Sequence, residues 1–404
     1  MANGQTSDAI TPEAIETSRD KEIFGHALVW SAPEYRADID GLRALAVLSI
    51  MFLHLGWPTF PGAYYMLDIF FVISGYLIAG QIVSQMAKGT FSLKSFYSRR
   101  IRRILPAAMV TFFFALLSAY FVFPVEDRYA NGLLILSGVY SFSNFVMAFD
   151  AETLEQGVRL MRHTWSLGVE EQFYLVFPVT ILLAFALFRS KLWIVILGIG
   201  LVSFVWAMVA TSVDNPANYY LTHFRIWEFA IGVLLIFLPQ VTVPRTWASV
   251  LGLFSLTVII LNLLYLTPTR FGTPGPWALS PTIATAVLII VGRAKCVSSA
   301  ILSVPPMVLV GKISYSLYLW HLLIFDTYRA AMNTGHFVGY KRGIVLYCIA
   351  LAFAWASWKF VESPFRGKNS PINTRALTYF IALGFAVLTV MSLGLIWSAP
   401  DISN

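Results

Sequence analysis

After residue 35 the chain alternates between long apolar runs and short polar breaks almost to its end. Each run is continuous rather than two-fold alternating, so it fits a helix that satisfies its own backbone hydrogen bonds in lipid, not a barrel strand. A span needs about 20 apolar residues. By that measure spanning helices are predicted at 41–57, 64–84, 103–123, 165–187, 191–211, 222–239, 246–265, 277–292, 308–331, 342–361 and 376–398, eleven in all. A twelfth run, 131–149, is interrupted by Asn131, Ser137, Ser141, Ser143 and Asn144. The predicted fold class is all-α, a polytopic transmembrane helical bundle with 131–149 as a re-entrant segment. Residues 1–35 are polar and read as a flexible cytoplasmic tail. Residues 36–366 form the membrane domain, and 367–404 a short linker, a final transmembrane helix and a short outer tail.

Charge placement favours re-entry over crossing. With the tail inside and 131–149 turning back, Lys88, Lys94, Arg99, Arg100, Arg102, Arg103, Arg189, Lys191, Arg245, Arg293, Lys295, Arg366, Lys368 and Arg375 all fall inside. Arg128, Arg159, Arg162, Arg270, Lys341 and Arg342 remain outside. Basic loops belong on the cytoplasmic side, and a full crossing would flip every later loop. The C-terminus is therefore expected outside.

Composition agrees. The chain is 58% hydrophobic and only 12% charged, with a mean hydropathy of +0.71, which excludes a water-soluble surface. The net charge of +7 bears on orientation rather than on nucleic acid. Cys296 and Cys348 suggest neither a disulfide framework nor a metal site, and no metal is expected.

Against this background ionisable residues stand out, because they are costly within a span. Arg43 and His54 lie near the two ends of the first helix, roughly 16 Å apart along its axis. Histidine can act as a general base near neutral pH. In FYSRRIRRILP (96–106), four arginines precede the third span. This can be a positive-inside stop signal or a phosphate site, and Arg100 and Arg103, three apart, can share one helix face. HTWSLGVEEQFY (163–174) brings His163, Glu170 and Glu171 to the start of the fourth span; adjacent carboxylates point about 100° apart, so only one should face a given site. Asp68 and Ser74 sit in a span, where Ser74 and Gly75 suit helix packing. Arg225 and Glu228 suit an intrahelical ion pair. Tyr315, Tyr318 and His321 suit packing and interfacial roles.

Together these segments resemble the acyltransferase 3 family of bacterial membrane proteins. The matching pieces are DGLRALAVL with His54 downstream, LDIFFVISGYLI, FYSRRIRRILP, HTWSLGVEEQFYL, the segment at 225–228, SYSLYLWH and ESPFR, in family order from about residue 35 to 366. The resemblance implies an O-acyltransferase in the bacterial inner (cytoplasmic) membrane, N-terminus cytoplasmic. It would move an acyl group, usually acetyl, from cytoplasmic acyl-CoA to a hydroxyl of a cell-envelope or exported glycan. Arg43 and His54 match the family's Arg–His pair, Arg99, Arg100, Arg102 and Arg103 its basic motif, and Glu170 and Glu171 its glutamate motif. The implied catalytic residues are thus His54, Glu170, Glu171 and Arg43. The four arginines are the implied acetyl-CoA ligands. Many relatives carry a further extracellular hydrolase-like domain. This chain stops at Asn404, as a stand-alone form or one cut where that domain would begin.

On this reading His54 is a general base or a transient acyl carrier, one of the two glutamates orients it or binds the sugar, and Arg43 stabilises donor charge. Two rivals remain: a relay handing the acyl group to a separate outer transferase, and a transporter or flippase of lipid-linked sugar. The expected partners are acyl-CoA, a glycan acceptor and the bilayer, with no nucleic acid.

Overall fold

The computed structural model describes residues 35–150, 154, 158–188, 191–211, 217–238, 242–267, 275–366 and 372–400. The predicted tail at 1–34, most of the linker at 367–371 and the last four residues lie outside them. The described residues build a helical bundle without strands. Its principal helices are α1 (Ala37–His54), α2 (Met66–Ala87), α3 (Leu93–Phe121), α4 (Arg128–Val139), α5 (Ser143–Phe149), α6 (Trp165–Phe188), α7 (Leu192–Thr211), α8 (Ile226–Leu234), α9 (Arg245–Tyr265), α10 (Leu279–Val291), α11 (Pro305–Met332), α12 (Tyr340–Ala356) and α13 (Thr374–Trp397).

Among the described residues, nine helical stretches are long and apolar enough to cross a membrane. Two more of the eleven expected helices belong to the same bundle but differ in kind. Helix α1 has 18 residues and carries Asp38, Asp40 and Arg43. Helix α8 with its following turn covers only Ile226–Phe237, shorter than the 222–239 expected. The basic segment also differs from expectation: it is not a loop before the third span but the first three turns of α3, which starts at Leu93 and runs through Pro106. Charge suppressed the apolar signal there without breaking the helix.

The 131–149 segment turns back on itself. Helix α4 descends along α13 from Arg128, whose Nη1 lies 3.4 Å from Ser398 Oγ, to Tyr140, whose hydroxyl lies 2.9 Å from Thr389 Oγ1. Thr389 and Ser398 are nine residues apart, or about 14 Å of helix, near half the apolar thickness. Ser141 then takes a left-handed backbone, φ 62°, and α5 returns. Arg159 pairs with Asp127 at 2.5 Å, and Leu160 N donates to Asn131 Oδ1 at 2.9 Å, so the segment leaves at the level where it entered. This agrees with the re-entrant expectation.

Helices α1, α3 and α11 run side by side in the same direction. Asp40 of α1 meets Gly311, Tyr315 donates to the Ile104 carbonyl at 3.0 Å, Ser118 contacts Thr327 at 2.7 Å, and His54 meets His321. The bundle therefore has an arginine end, near Arg43, and a histidine end, near His54. Helix α8 runs parallel to α2 at very short range. A Cβ on Gly75 would lie 2.1 Å from the Phe229 carbonyl, and one on Gly232 would lie 2.0 Å from that of Val72. Only small residues allow such backbone contact.

That contact carries a buried ionic cluster. Arg225, before α8, pairs with Glu228 at 2.8 Å, as the three-residue spacing predicts, and with Asp68 of α2 at 3.3 Å. All three are nearly inaccessible, 1%, 0% and 1% exposed. Removing the cation would leave two carboxylates uncompensated. Arg225→Met is expected to lower unfolding free energy by about 3–5 kcal/mol. Adding Asp68→Asn and Glu228→Gln to it should restore most of the loss. Denaturant titration in detergent measures both, and a neutral single variant would show that the cluster does not hold α2 to α8.

Candidate active site

Helix α1 ends at His54 for local and long-range reasons. Gly56 takes φ +74°, and its N–H bonds the Leu53 carbonyl at 2.9 Å while Trp57 N–H reaches that of Phe52 at 3.4 Å. This glycine-ended C-cap satisfies carbonyls that the last turn leaves free. Arg329 of α11, 1% exposed and held by Asp326 at 2.7 Å, donates to the carbonyls of His54 and His336. A cation at the helix C-terminus also favours the helix dipole. The 333–339 loop is fastened to the same point: Val338 N donates to the Leu55 carbonyl at 3.0 Å and Trp57 Nε1 to the Val338 carbonyl at 2.8 Å.

So held, His54 lines a vestibule of about 620 Å³ at the histidine end. The wall combines aromatic faces, Trp57, Tyr64, Trp165, Tyr219 and Tyr220, with polar groups from Arg162, His163, Arg329 and His336. His54 belongs to a group of three histidine rings. Its Nδ1 lies 2.8 Å from Nε2 of His321, and His163 is packed against both, with ring centres 6.5 and 5.1 Å away. Neither nitrogen of His163 has a partner among the described residues, although both are buried. No group of His, Cys, Asp or Glu side chains among the described residues is arranged to hold a metal ion.

At the other end of α1, a narrow cleft is lined by Arg43, Arg100, Arg103, Glu170, Glu171 and Tyr174. It contains about 50 Å³, enough for a few waters, so a larger ligand must move side chains to enter. The four arginines of α3 divide by helix face. Arg100 and Arg103 border the cleft; Arg100 also bonds Gln81 at 3.0 Å and lies over the Tyr174 ring at 5.3 Å. Arg99 is exposed and bonds Gln85 at 3.1 Å. Arg102 ties down the start of α13 through the Ile372 carbonyl and Thr374, at 3.0 and 3.2 Å. The structure therefore does not bring Arg99 and Arg102 to the cleft. Neither Arg43 nor Arg103 makes a hydrogen bond among the described residues; Arg43 has only a loose pairing with Asp40 at 3.9 Å. Three guanidinium groups share one wall with most donors unspent, which favours a multiply charged anion.

Both glutamates border the cleft, where the helix period suggested one. Their carboxylates diverge to opposite walls: Glu170 accepts from Ser74 and Tyr174, and Glu171 accepts from Ser141 at the re-entrant turn. Ser74 thus serves the site rather than plain helix packing. Neither carboxylate bonds His54, so the expectation that one orients the imidazole is replaced by His321. His321 and Tyr318, expected in packing or interfacial roles, are both central. The Tyr318 hydroxyl donates to the His163 carbonyl at 2.9 Å and lies 2.6 Å from Ser166 Oγ. With Leu67 it lines both cleft and vestibule, and so separates them. A third, apolar cavity of about 730 Å³ opens between α6, α7 and α8 and meets the cleft wall at Glu171.

The sequence profile of the acyltransferase domain family matches residues 36–338. The chain is 30% identical over 382 residues to a Staphylococcus aureus (strain MSSA476) protein provisionally named an O-acetyltransferase, covering 90% of this chain and 63% of the relative. It is 30% identical over 357 residues to the peptidoglycan O-acetyltransferase OatA of Listeria monocytogenes, covering 84% of this chain and 57% of the relative. It is also 30% identical over 359 residues to the O-acetyltransferase OatA of S. aureus (strain NCTC 8325), covering 84% and 58%. The chain spans about three-fifths of the length of these curated relatives. No solved structure matches it.

The end of α1 gives a test of how His54 is held. Gly56→Ala forces a side chain into a left-handed backbone, a cost of about 1–2 kcal/mol, and sets its Cβ 2.4 Å from the His336 carbonyl. Gly89 has a similar φ, +63°, with open space around it. Gly56→Ala should therefore destabilise the protein more than Gly89→Ala, by thermal unfolding in detergent. Equal losses would mean that the loop yields freely.

Proposed function

The chain belongs to the acyltransferase 3 family, and from that premise we propose that it is a membrane O-acetyltransferase acting on a hydroxyl of a cell-envelope glycan. One observation carries the reading: a single helix, α1, presents Arg43 to an anion-binding cleft at one end and His54 to a polar, aromatic-walled vestibule at the other. A donor with a phosphate-rich head and a long thin arm suits this arrangement. The phosphates of acetyl-CoA meet Arg43, Arg100 and Arg103 on the cytoplasmic side, with the arm directed past Leu67 and Tyr318 toward His54. Aromatic faces beside hydrogen-bonding groups in the vestibule suit a sugar. The family's glycan-modifying relatives support that acceptor.

The chemistry assigned to His54 is general-base catalysis. The acceptor hydroxyl oxygen attacks the thioester carbonyl carbon, and His54 takes the hydroxyl proton. The carbon–sulfur bond breaks, and the proton passes to the departing sulfur. Glu170 and Glu171 lie in the cleft, so their role is to order Ser74, Tyr174 and Ser141 around the donor arm. The arginine end faces the cytoplasm of a bacterial inner membrane, and the histidine end faces outward. Thiol labelling tests this: Lys94→Cys should react only after permeabilisation, and Ser398→Cys in intact cells.

Binding and turnover separate the two ends. Arg100→Ala and Arg103→Ala should each weaken acetyl-CoA binding by about 1.5–3 kcal/mol, the worth of a charged hydrogen bond. Arg99→Ala should have little effect. Calorimetry in detergent reads this, and unchanged affinity in the first two would remove the donor site from the cleft. His54→Ala and His54→Gln should both abolish transfer of labelled acetyl to glycan, by about 10²–10⁴-fold, with donor binding retained. Wild-type turnover by the glutamine variant would make His54 a structural residue. A transporter of lipid-linked sugar would bind no acetyl-CoA at all.

A further inference from the structure

Resting on the acyl-transfer reading above, we propose that His321 is a positioning residue that fixes the tautomer of His54, so that the bare nitrogen of His54 is the one presented to the vestibule. The protons can be placed by elimination. His321 is fully buried in α11, and its Nδ1 lies 3.0 Å from the carbonyl oxygen of Leu317, one turn earlier. A carbonyl only accepts, so this Nδ1 carries a hydrogen. In a neutral imidazole the other nitrogen is then a lone pair. That nitrogen, Nε2, lies 2.8 Å from His54 Nδ1. One hydrogen occupies this contact, and it belongs to His54. His54 is therefore protonated on Nδ1, and its Nε2 keeps the lone pair that takes a hydroxyl proton.

The surroundings hold this arrangement. The His321 ring is fixed edge-on by Phe325 at 5.8 Å between centres and tilted against Tyr318 at 5.5 Å. The backbone of His54 is pinned by Arg329, and its ring is joined to that of His321 by the 2.8 Å contact. The charged groups nearby are Arg162 and Arg329, with Asp326 occupied by Arg329. No carboxylate bonds either ring among the described residues. In many enzymes a carboxylate or carbonyl sets the tautomer of a catalytic histidine. Here the acceptor is a second imidazole. When His54 takes a proton at Nε2, its Nδ1–H bond to His321 becomes charge-assisted, and the positive charge is shared over two rings.

The experiment uses the full chain labelled with nitrogen-15 histidine in detergent micelles, with the His54 signals assigned by their loss in His54→Ala. Wild-type His54 should show a protonated Nδ1 and a bare Nε2. In His321→Phe, which removes the acceptor, the signals should move to the other tautomer or a mixture. The acetyl-transfer kcat should fall about 10²-fold or more, with the KM for acetyl-CoA unchanged. His321→Gln offers a carbonyl acceptor and should recover most of the tautomer and at least a tenth of the rate. A wild-type His54 protonated on Nε2 overturns the proposal, whether or not the variants fold. So does a His321→Phe enzyme with wild-type kcat, or a glutamine variant no better than phenylalanine in both readouts. If instead the wild-type chain transfers no acetyl, the acyl-transfer reading fails, while the tautomer measurement still decides the claim about His321.

Discussion

Arg329 buries its guanidinium almost completely, and the histidine end of the bundle is organised around it. Burying a guanidinium is tolerable only if a carboxylate and further acceptors replace water. Asp326 supplies the first, and the carbonyls of His54 and His336 supply the others. One side chain thereby joins α11 to the last turn of α1 and to the 333–339 loop. The His54 carbonyl is free because α1 stops where Gly56 turns left-handed. The placement of His54 thus follows from a charge that must be satisfied, and the vestibule is the space left around that solution.

The second constraint is the separation of the two compartments. Three guanidinium groups face the cleft and three imidazoles cluster at the other end, with Leu67 and Tyr318 between them. Tyr318 is bonded to Ser166 and to the His163 carbonyl, so opening the partition breaks two buried hydrogen bonds. Each is worth about 0.5–1.5 kcal/mol net. That sum is small beside the binding energy of a polyphosphate on three arginines. Opening this partition would join the cleft to the vestibule.

The glutamates tie several helices together through hydrogen bonds inside the bundle. Glu170 accepts two hydroxyls, from α2 and α6, and Glu171 accepts one, from the re-entrant turn. They connect the re-entrant segment and α2 to the cleft wall. The polar interruptions in 131–149 have the same explanation: Asn131 caps Leu160, Ser141 meets Glu171, and Asn144 contacts Gln172 and Thr222.

By itself the sequence determined what depends on neighbours in the chain. Hydropathy over one span length is local, so nearly every helix was legible, and the positive-inside bias made 131–149 re-entrant. Helical periodicity paired Arg100 with Arg103 and Arg225 with Glu228. Tertiary structure alone decided what depends on distant partners. His321 reaches His54 across 267 residues, and in LYLWH it carries the same local signal as an interfacial aromatic. Arg102 and Arg103 are chain neighbours, yet one fastens α13 and the other faces the cleft, because the α3 faces meet different helices. Hydrophobic pattern says that a face is buried, but not against what. The chemistry of a polar group inside the membrane is set by the partner it finds there.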